Sequence, residues 1–203
     1  MADVQRSGAI AGVVLVDPEV HHDDRGLFVE TWRRDWVPES AEMVQANRAD
    51  RRSGSVVGLH YHRFQADYWY VPLGRARVVL HDLRTGSPTE GSTLALDIGS
   101  TARGAERLTA HDHRGVYIPA GVAHGFAALT DVTITYLVDH LYDPADELGV
   151  AWDDPLIGAD WGLGTPVLSE RDQANPLVAD LEPNLRPAWA EPEPTGSPAR
   201  GAP

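Results

Sequence analysis

Short apolar runs cut off from one another by glycine, proline and aspartate constrain this chain more than any other feature. "VVLV", "LFVETW", "VVGLHYH", "DYWYVPLG", "ARVVLHDL", "TLALDI", "GVYIPAG", "GFAAL" and "TITYLVDHLY" follow one another between residues 13 and 142. Runs of this length, rich in β-branched and aromatic residues, predict strands, and their regular interruption predicts an antiparallel all-β sandwich or barrel. In the last run Ile134, Tyr136, Val138, His140 and Tyr142 fall on one face by period two. Only "RRDWVPESAEMVQ" suggests a short helix, interrupted by Pro38. No internal repeat is visible.

At 203 residues with 42% hydrophobic content, the chain has the size of one domain with a buried core. That domain is expected to span residues 1–181. From 182 to 203 the composition shifts to "EPNLRPAWAEPEPTGSPARGAP", which cannot form a ladder, so a Pro-rich disordered tail is predicted, with Trp189 docking on the surface.

Charge and composition exclude several functions. Thirty acidic against seventeen basic side chains give a net charge of -13, which repels polyanions, so neither nucleic acid nor a membrane is an expected partner. Every basic residue is arginine, so no lysine is present to form a Schiff base or to cradle a phosphate. No cysteine is present either, which removes disulfides, thiolate metal sites and thiol nucleophiles. The run "AIAGVVLV" is too short to span a membrane and leads into "DPEVHHDD", so it is expected to be a strand and the protein cytoplasmic.

The residues with the most chemistry lie in "GLHYHRFQADYWYVPLG". His60 and His62, two apart on an expected strand, point to one face, Asp67 opens the next strand, and "PAGVAH" adds His124 after a tight turn. Three imidazoles and a carboxylate form a ligand set for iron, manganese, nickel or zinc. The pattern H-x-H-x4-D-x6-G followed by P-x-G-x2-H resembles the two metal motifs of the cupin superfamily, with aspartate in place of the usual glutamate and Ala128 in place of asparagine.

From about Gly12 to Leu181 the chain also resembles the nucleotide-sugar 3,5-epimerases that act on dTDP-4-dehydro-6-deoxyglucose, the dTDP-4-dehydrorhamnose 3,5-epimerase family. The matching pieces include "DDRGLFVETW", "VQANRA", "GLHYH", "DLRTGSPTEG", "YIPAGVAHGFAAL", "YLVDHLYDPADELGVAWDDPLIGADW" and "LSERD". The resemblance implies a cupin-type double-stranded β-helix, or jelly-roll barrel, with short flanking helices, and an isomerase that needs no cofactor. It implies His60 as catalytic base, Asp172 of "LSERD" as its partner and Tyr136 as the opposing acid. For the nucleotide it nominates Arg25, Phe28 and Glu30 of "RGLFVE" and Gln45 and Asn47 of "QAN", with His124 as a further substrate-binding residue. It further implies a homodimer, because family members exchange N-terminal strands.

Three departures keep other functions open. Val57 stands where the family has an arginine, His62 where it has a glutamine, and Asp67 where it has a lysine close to the sugar's keto oxygen. The last two put metal-ligand types into the pocket. The alternative is therefore a metal-dependent cupin enzyme acting on another carbonyl compound, with a divalent transition metal on His60, His62, Asp67 and His124. A further alternative is a cupin that binds a small molecule without turnover.

Overall fold

The computed structural model describes residues 1–100 and 109–190. The N-terminal strands are β1 (Asp3–Arg6), β2 (Val14–Asp17), β3 (Val20–Asp23), β4 (Gly26–Val29), β5 (Gln45–Arg51) and β6 (Val56–Tyr61). The remaining strands are β7 (Asp67–Asp82), β8 (Thr93–Ser100), β9 (Gly115–Ile118), β10 (Val122–Ala128), β11 (Val132–Val138) and β12 (Leu148–Gly149), followed by one short helix, α1 (Glu170–Gln173).

Strand β7 organises the barrel because it is long enough to serve two sheets. Its first residues pair with β9 on one side and β11 on the other, and β5, β2 and β1 extend that sheet. Its later residues pair with β8 and β10, and β10 carries β6 and then β12. The strand changes sheets where its register against β11 slips, between Tyr70 and Leu73, next to Pro72. Proline cannot donate to a ladder, so a break in pairing is where a strand tolerates it. The two sheets close over a common core of Trp69, Val116 and Ile134 from one and Val78, Ile98 and Phe126 from the other. This is the cupin-type jelly roll that the resemblance implied.

Two further apolar layers cover the outer faces. Val14, Val16, Tyr68 and Tyr117 pack under Val37, with Trp32 and Trp36 half-buried against them. The segment expected to be helical forms only a single 3-10 turn, Arg34–Trp36. The Arg34 guanidinium donates to the Val37 carbonyl at 2.6 Å, and Pro38 has no N–H with which to carry the helix on. On the other side, Leu59, Tyr61, Val79 and Ala127 are roofed by Val150, Ile157, Trp161 and Val178.

The packed chain continues beyond the expected boundary at Leu181. Residues Pro183–Leu185 form a 3-10 turn, Ala188 bridges Thr85, and the Trp189 ring lies 4.6 Å from the Arg84 guanidinium. A proline-rich segment that cannot extend a sheet still gains one bridge and a cation–π contact here. The rest of the expected tail, 191–203, lies outside the described residues.

Strands β3 and β4 stand apart as a hairpin that pairs only with itself. Its side chains are largely exposed, Phe28 at 65%. Among the described residues no helix is long and apolar enough to cross a membrane.

Candidate active site

Strand β6 carries the central residue, and a glycine determines where it points. Val56, Leu59 and Tyr61 face the outer layer, while Val57 joins the inter-sheet core and His60 lines a cavity inside the barrel. Strict alternation would put Val57 and His60 on opposite faces. The register explains the difference: β6 advances from Val57 to His60 while β10 passes only from Phe126 to His124, which is a β-bulge. Gly58 sits in it with φ of 98°, and a Cβ there would lie 2.7 Å from the His124 carbonyl oxygen. Across the pair a Cβ on Gly125 would lie 2.6 Å from the Val57 carbonyl oxygen. Only two facing glycines let the strands approach so closely, and the approach sets His60 directly opposite His124.

The cavity, about 330 Å³, receives side chains from both sheets. His60 Nε2 lies 2.6 Å from Asp172 Oδ1. Asp172 reaches this position from α1, whose N-cap Ser169 accepts from the Asp172 amide at 3.1 Å and donates its hydroxyl to Asp172 Oδ2 at 2.8 Å. Burial opposes charge on Asp172, but the hydrogen bond and charge of His60, with help from Ser169 and the Gly58 amide, outweigh it and hold the carboxyl below its ordinary range. A carboxylate can only accept, so the neutral imidazole keeps its hydrogen on Nε2 and a lone pair on Nδ1.

Tyr136 lines the same cavity from β11, opposite Trp69 on β7 and Asn47 on β5. Burial, reinforced by the negative charges of Asp67 and Glu147, raises its phenol above the usual value, so it remains a proton donor at neutral pH. Gln45 and Asn47 also line the cavity and are bonded to each other, Nε2 to Oδ1, at 2.7 Å.

Of the four ligands named for the alternative, metal-dependent reading, three come together. The donor atoms of His62, Asp67 and His124 lie within 4.8 Å of one another, all three residues being buried, but His60 is not in the group. Its Nε2 is taken by Asp172.

Arg25, Phe28 and Glu30 are not brought to the cavity of their own chain. They lie on or just beyond the exposed hairpin, where Arg25 Nε donates to Asp23 at 3.0 Å and Glu30 sits 3.5 Å from Arg33. His140 leaves the expected face too: β11 ends at Val138, and His140 pairs with Asp139 at 2.8 Å. Arg51, Trp69, Phe126 and Glu147 line the cavity without having been singled out in the sequence, whereas Tyr142, placed on the Tyr136 face by period two, lines it as well. Arg51 was within reach, since it continues the period-two series Gln45, Asn47, Ala49 along β5.

Residues 7–180 match the family model described as dTDP-4-dehydrorhamnose 3,5-epimerase. The chain belongs to that family. Family membership makes it a carbohydrate epimerase, built on a cupin-type jelly roll. It is 36% identical over 182 residues to the dTDP-4-dehydrorhamnose 3,5-epimerase of Pseudomonas aeruginosa, covering 86% of this chain and 95% of the relative. It is also 36% identical over 190 residues to the dTDP-4-dehydrorhamnose 3-epimerase of Streptomyces niveus, covering 89% and 87%. The crystal structure of NovW, a 4-keto-6-deoxy sugar epimerase from the novobiocin biosynthetic gene cluster of Streptomyces spheroides, superposes with a TM-score of 0.82 at 33% identity. That superposition covers 93% of this chain and 94% of the other.

Proposed function

We propose that this family member epimerises a dTDP-4-dehydro-6-deoxysugar at C3, or at C3 and C5, with His60 as base, Asp172 as its positioning partner and Tyr136 as acid. The observation that carries this is a histidine fixed by a buried carboxylate and a protonated tyrosine lining one cavity. The 4-keto group acidifies the neighbouring C–H bonds. Nδ1 of His60 takes the proton, the C–H electron pair becomes the enolate C=C bond, and the former carbonyl pair moves onto oxygen. Asp172 stabilises the imidazolium so formed. Tyr136 then gives its proton to the same carbon from the other face and the carbonyl re-forms. Exchange with solvent returns a proton to the phenol and removes one from the imidazole. These transfers need no cofactor.

Gln45 and Asn47 are assigned to the nucleotide sugar. Arg51, the one arginine among the residues lining the cavity, is the cation assigned to the diphosphate. We infer a homodimer in which the β3–β4 hairpin brings Arg25, Phe28 and Glu30 to a second copy's cavity. A self-paired hairpin that exposes Leu27 at 43% and Phe28 at 65% supports that reading. A diphosphate does not cross a bilayer unaided, so the substrate class also favours the cytoplasm.

Incubating the protein with dTDP-4-dehydro-6-deoxyglucose in deuterated water tests the assignment. Deuterium is expected at C3, or at C3 and C5, by mass spectrometry, and none with His60→Ala. Absence of exchange with the wild-type protein, or equal exchange with the variant, refutes it.

A further inference from the structure

The three buried donors that His60 does not join have an arrangement of their own. His62 follows the end of β6, Asp67 opens β7, and His124 lies on β10. His62 Nδ1 is 2.9 Å from the Asp146 carbonyl oxygen, and His124 Nδ1 is 2.9 Å from the Val122 carbonyl oxygen. A carbonyl oxygen only accepts, so each ring carries its hydrogen on Nδ1 and keeps a lone pair on Nε2, the tautomer that second-shell carbonyls impose on metal-binding histidines. Among the described residues neither Nε2 has a hydrogen-bond partner.

Asp67 is oriented just as firmly. Gln65 Nε2 donates to its Oδ1 at 2.9 Å and Trp69 Nε1 to its Oδ2 at 3.0 Å. Both donors are neutral, and among the described residues no arginine pairs with this carboxylate, which is 3% exposed. Two imidazole lone pairs and a carboxylate converge with no cation among them. Donors about 2.0–2.2 Å from an ion lie roughly 3–4 Å from one another. A spread of at most 4.8 Å is therefore closed by small side-chain movements.

We propose that His62, Asp67 and His124 form a divalent transition-metal site of the two-histidine, one-carboxylate type, with its open positions facing the cavity that His60 and Tyr136 line. Its catalytic role rests on the epimerase reading above, whereas binding itself does not. When bound, such an ion supplies Lewis-acid polarisation of a carbonyl oxygen. This chain has no lysine for that task, and Asp67 places a carboxylate beside the cavity. His62, Asp67 and His124 would hold the ion, while His60, anchored to Asp172, keeps its lone pair for proton transfer.

The test reads metal binding without activity. Protein stripped by chelator and dialysed is titrated with Co²⁺, followed by visible absorption, and with Zn²⁺, followed by calorimetry. One ion per chain is expected. His62→Gln and Asp67→Asn are each expected to weaken binding about 100-fold or more, of the order that loss of a supporting group already causes. His60→Asn should bind as the wild type does, with circular dichroism verifying that every variant is folded. No binding by the wild type, or equal binding by the wild type and both ligand variants, overturns the site. Failure of the two readings is separable. Deuterium exchange without metal affinity removes the metal site and spares the epimerase, and tight metal binding without exchange does the reverse.

Discussion

Replacing Asp172 with asparagine isolates the electrostatic part of the proposed mechanism, because the side chain keeps its shape and loses only its charge. In the wild type, Asp172 Oδ1 lies 2.6 Å from His60 Nε2, which places the charge centres of an imidazolium–carboxylate pair about 4 Å apart. At an effective dielectric constant of about 20 this attraction is worth roughly 4 kcal/mol. Asparagine retains a dipole and one hydrogen bond, so about 2–4 kcal/mol of it is lost. The loss falls on the state in which His60 has gained a proton, which corresponds to a fall in kcat of roughly 30- to 1,000-fold. Ser169 affects which end of the new amide faces the ring. Its hydroxyl now donates to Oδ2, and an amide nitrogen at that position cannot accept it. The introduced asparagine is therefore expected to keep its oxygen towards Ser169 and turn its NH₂ towards His60 Nε2. That arrangement favours the tautomer with hydrogen on Nδ1 and removes the lone pair that acts as base, adding to the loss.

Asp172 does not line the cavity, so KM should change by no more than a few-fold. The assay is steady-state solvent deuterium incorporation into dTDP-4-dehydro-6-deoxyglucose, with kcat and KM separated by varying substrate. A variant with kcat within about threefold of the wild type would refute the claim that this carboxylate stabilises a protonated His60. A large rise in KM at constant kcat would do the same, since uniform binding rather than the proton-transfer step would then have been lost.

Tyr136→Phe should lower the yield of inverted product by about 10²–10⁴-fold while deuterium still enters the substrate, because His60 can remove and return a proton on its own face; equal loss of exchange and inversion would contradict separate acid and base roles. Arg51→Ala should raise KM by roughly 10- to 100-fold with little change in kcat, the scale of one charge-assisted hydrogen bond, and an unchanged KM would show that the diphosphate lies elsewhere. Gly58→Ala should cost about 2 kcal/mol or more in urea denaturation, given φ of 98° and a Cβ that would lie 2.7 Å from the His124 oxygen. A cost below about 0.5 kcal/mol would mean that the bulge accommodates a side chain.

Those residues also show what the sequence could and could not reveal. The barrel was legible because period-two runs and glycine–proline breaks are local signals, and each buried strand face had to be apolar over its own length. The His60–Asp172 pair was not legible as geometry. The two residues are 112 positions apart, and an acid three residues after a serine at a helix start satisfies an ordinary capping pattern. Only the resemblance joined them. Arg25, Phe28 and Glu30 were nominated by the resemblance alone, and nothing local in the sequence marks the self-paired hairpin on or beside which they lie.

The parity of β6 is the deeper case. Read by alternation from Val57, the inward series would run to Leu59 and Tyr61, and His60 and His62 would face the outer layer, far from any reaction. The structure inserts a bulge at Gly58, so that Val57, His60 and His62 line one cavity. The clue was in the sequence as a glycine within a strand, but its meaning depended on Gly125 lying opposite, and nothing local links the two. The bulge also determines how the imidazoles are divided. With His60 turned towards α1 and held by Asp172, His62 and His124 are left with Nε2 lone pairs beside Asp67. A single backbone irregularity thus separates the nitrogen proposed for proton transfer from those proposed as metal ligands, and a side chain at Gly58 should disturb both together.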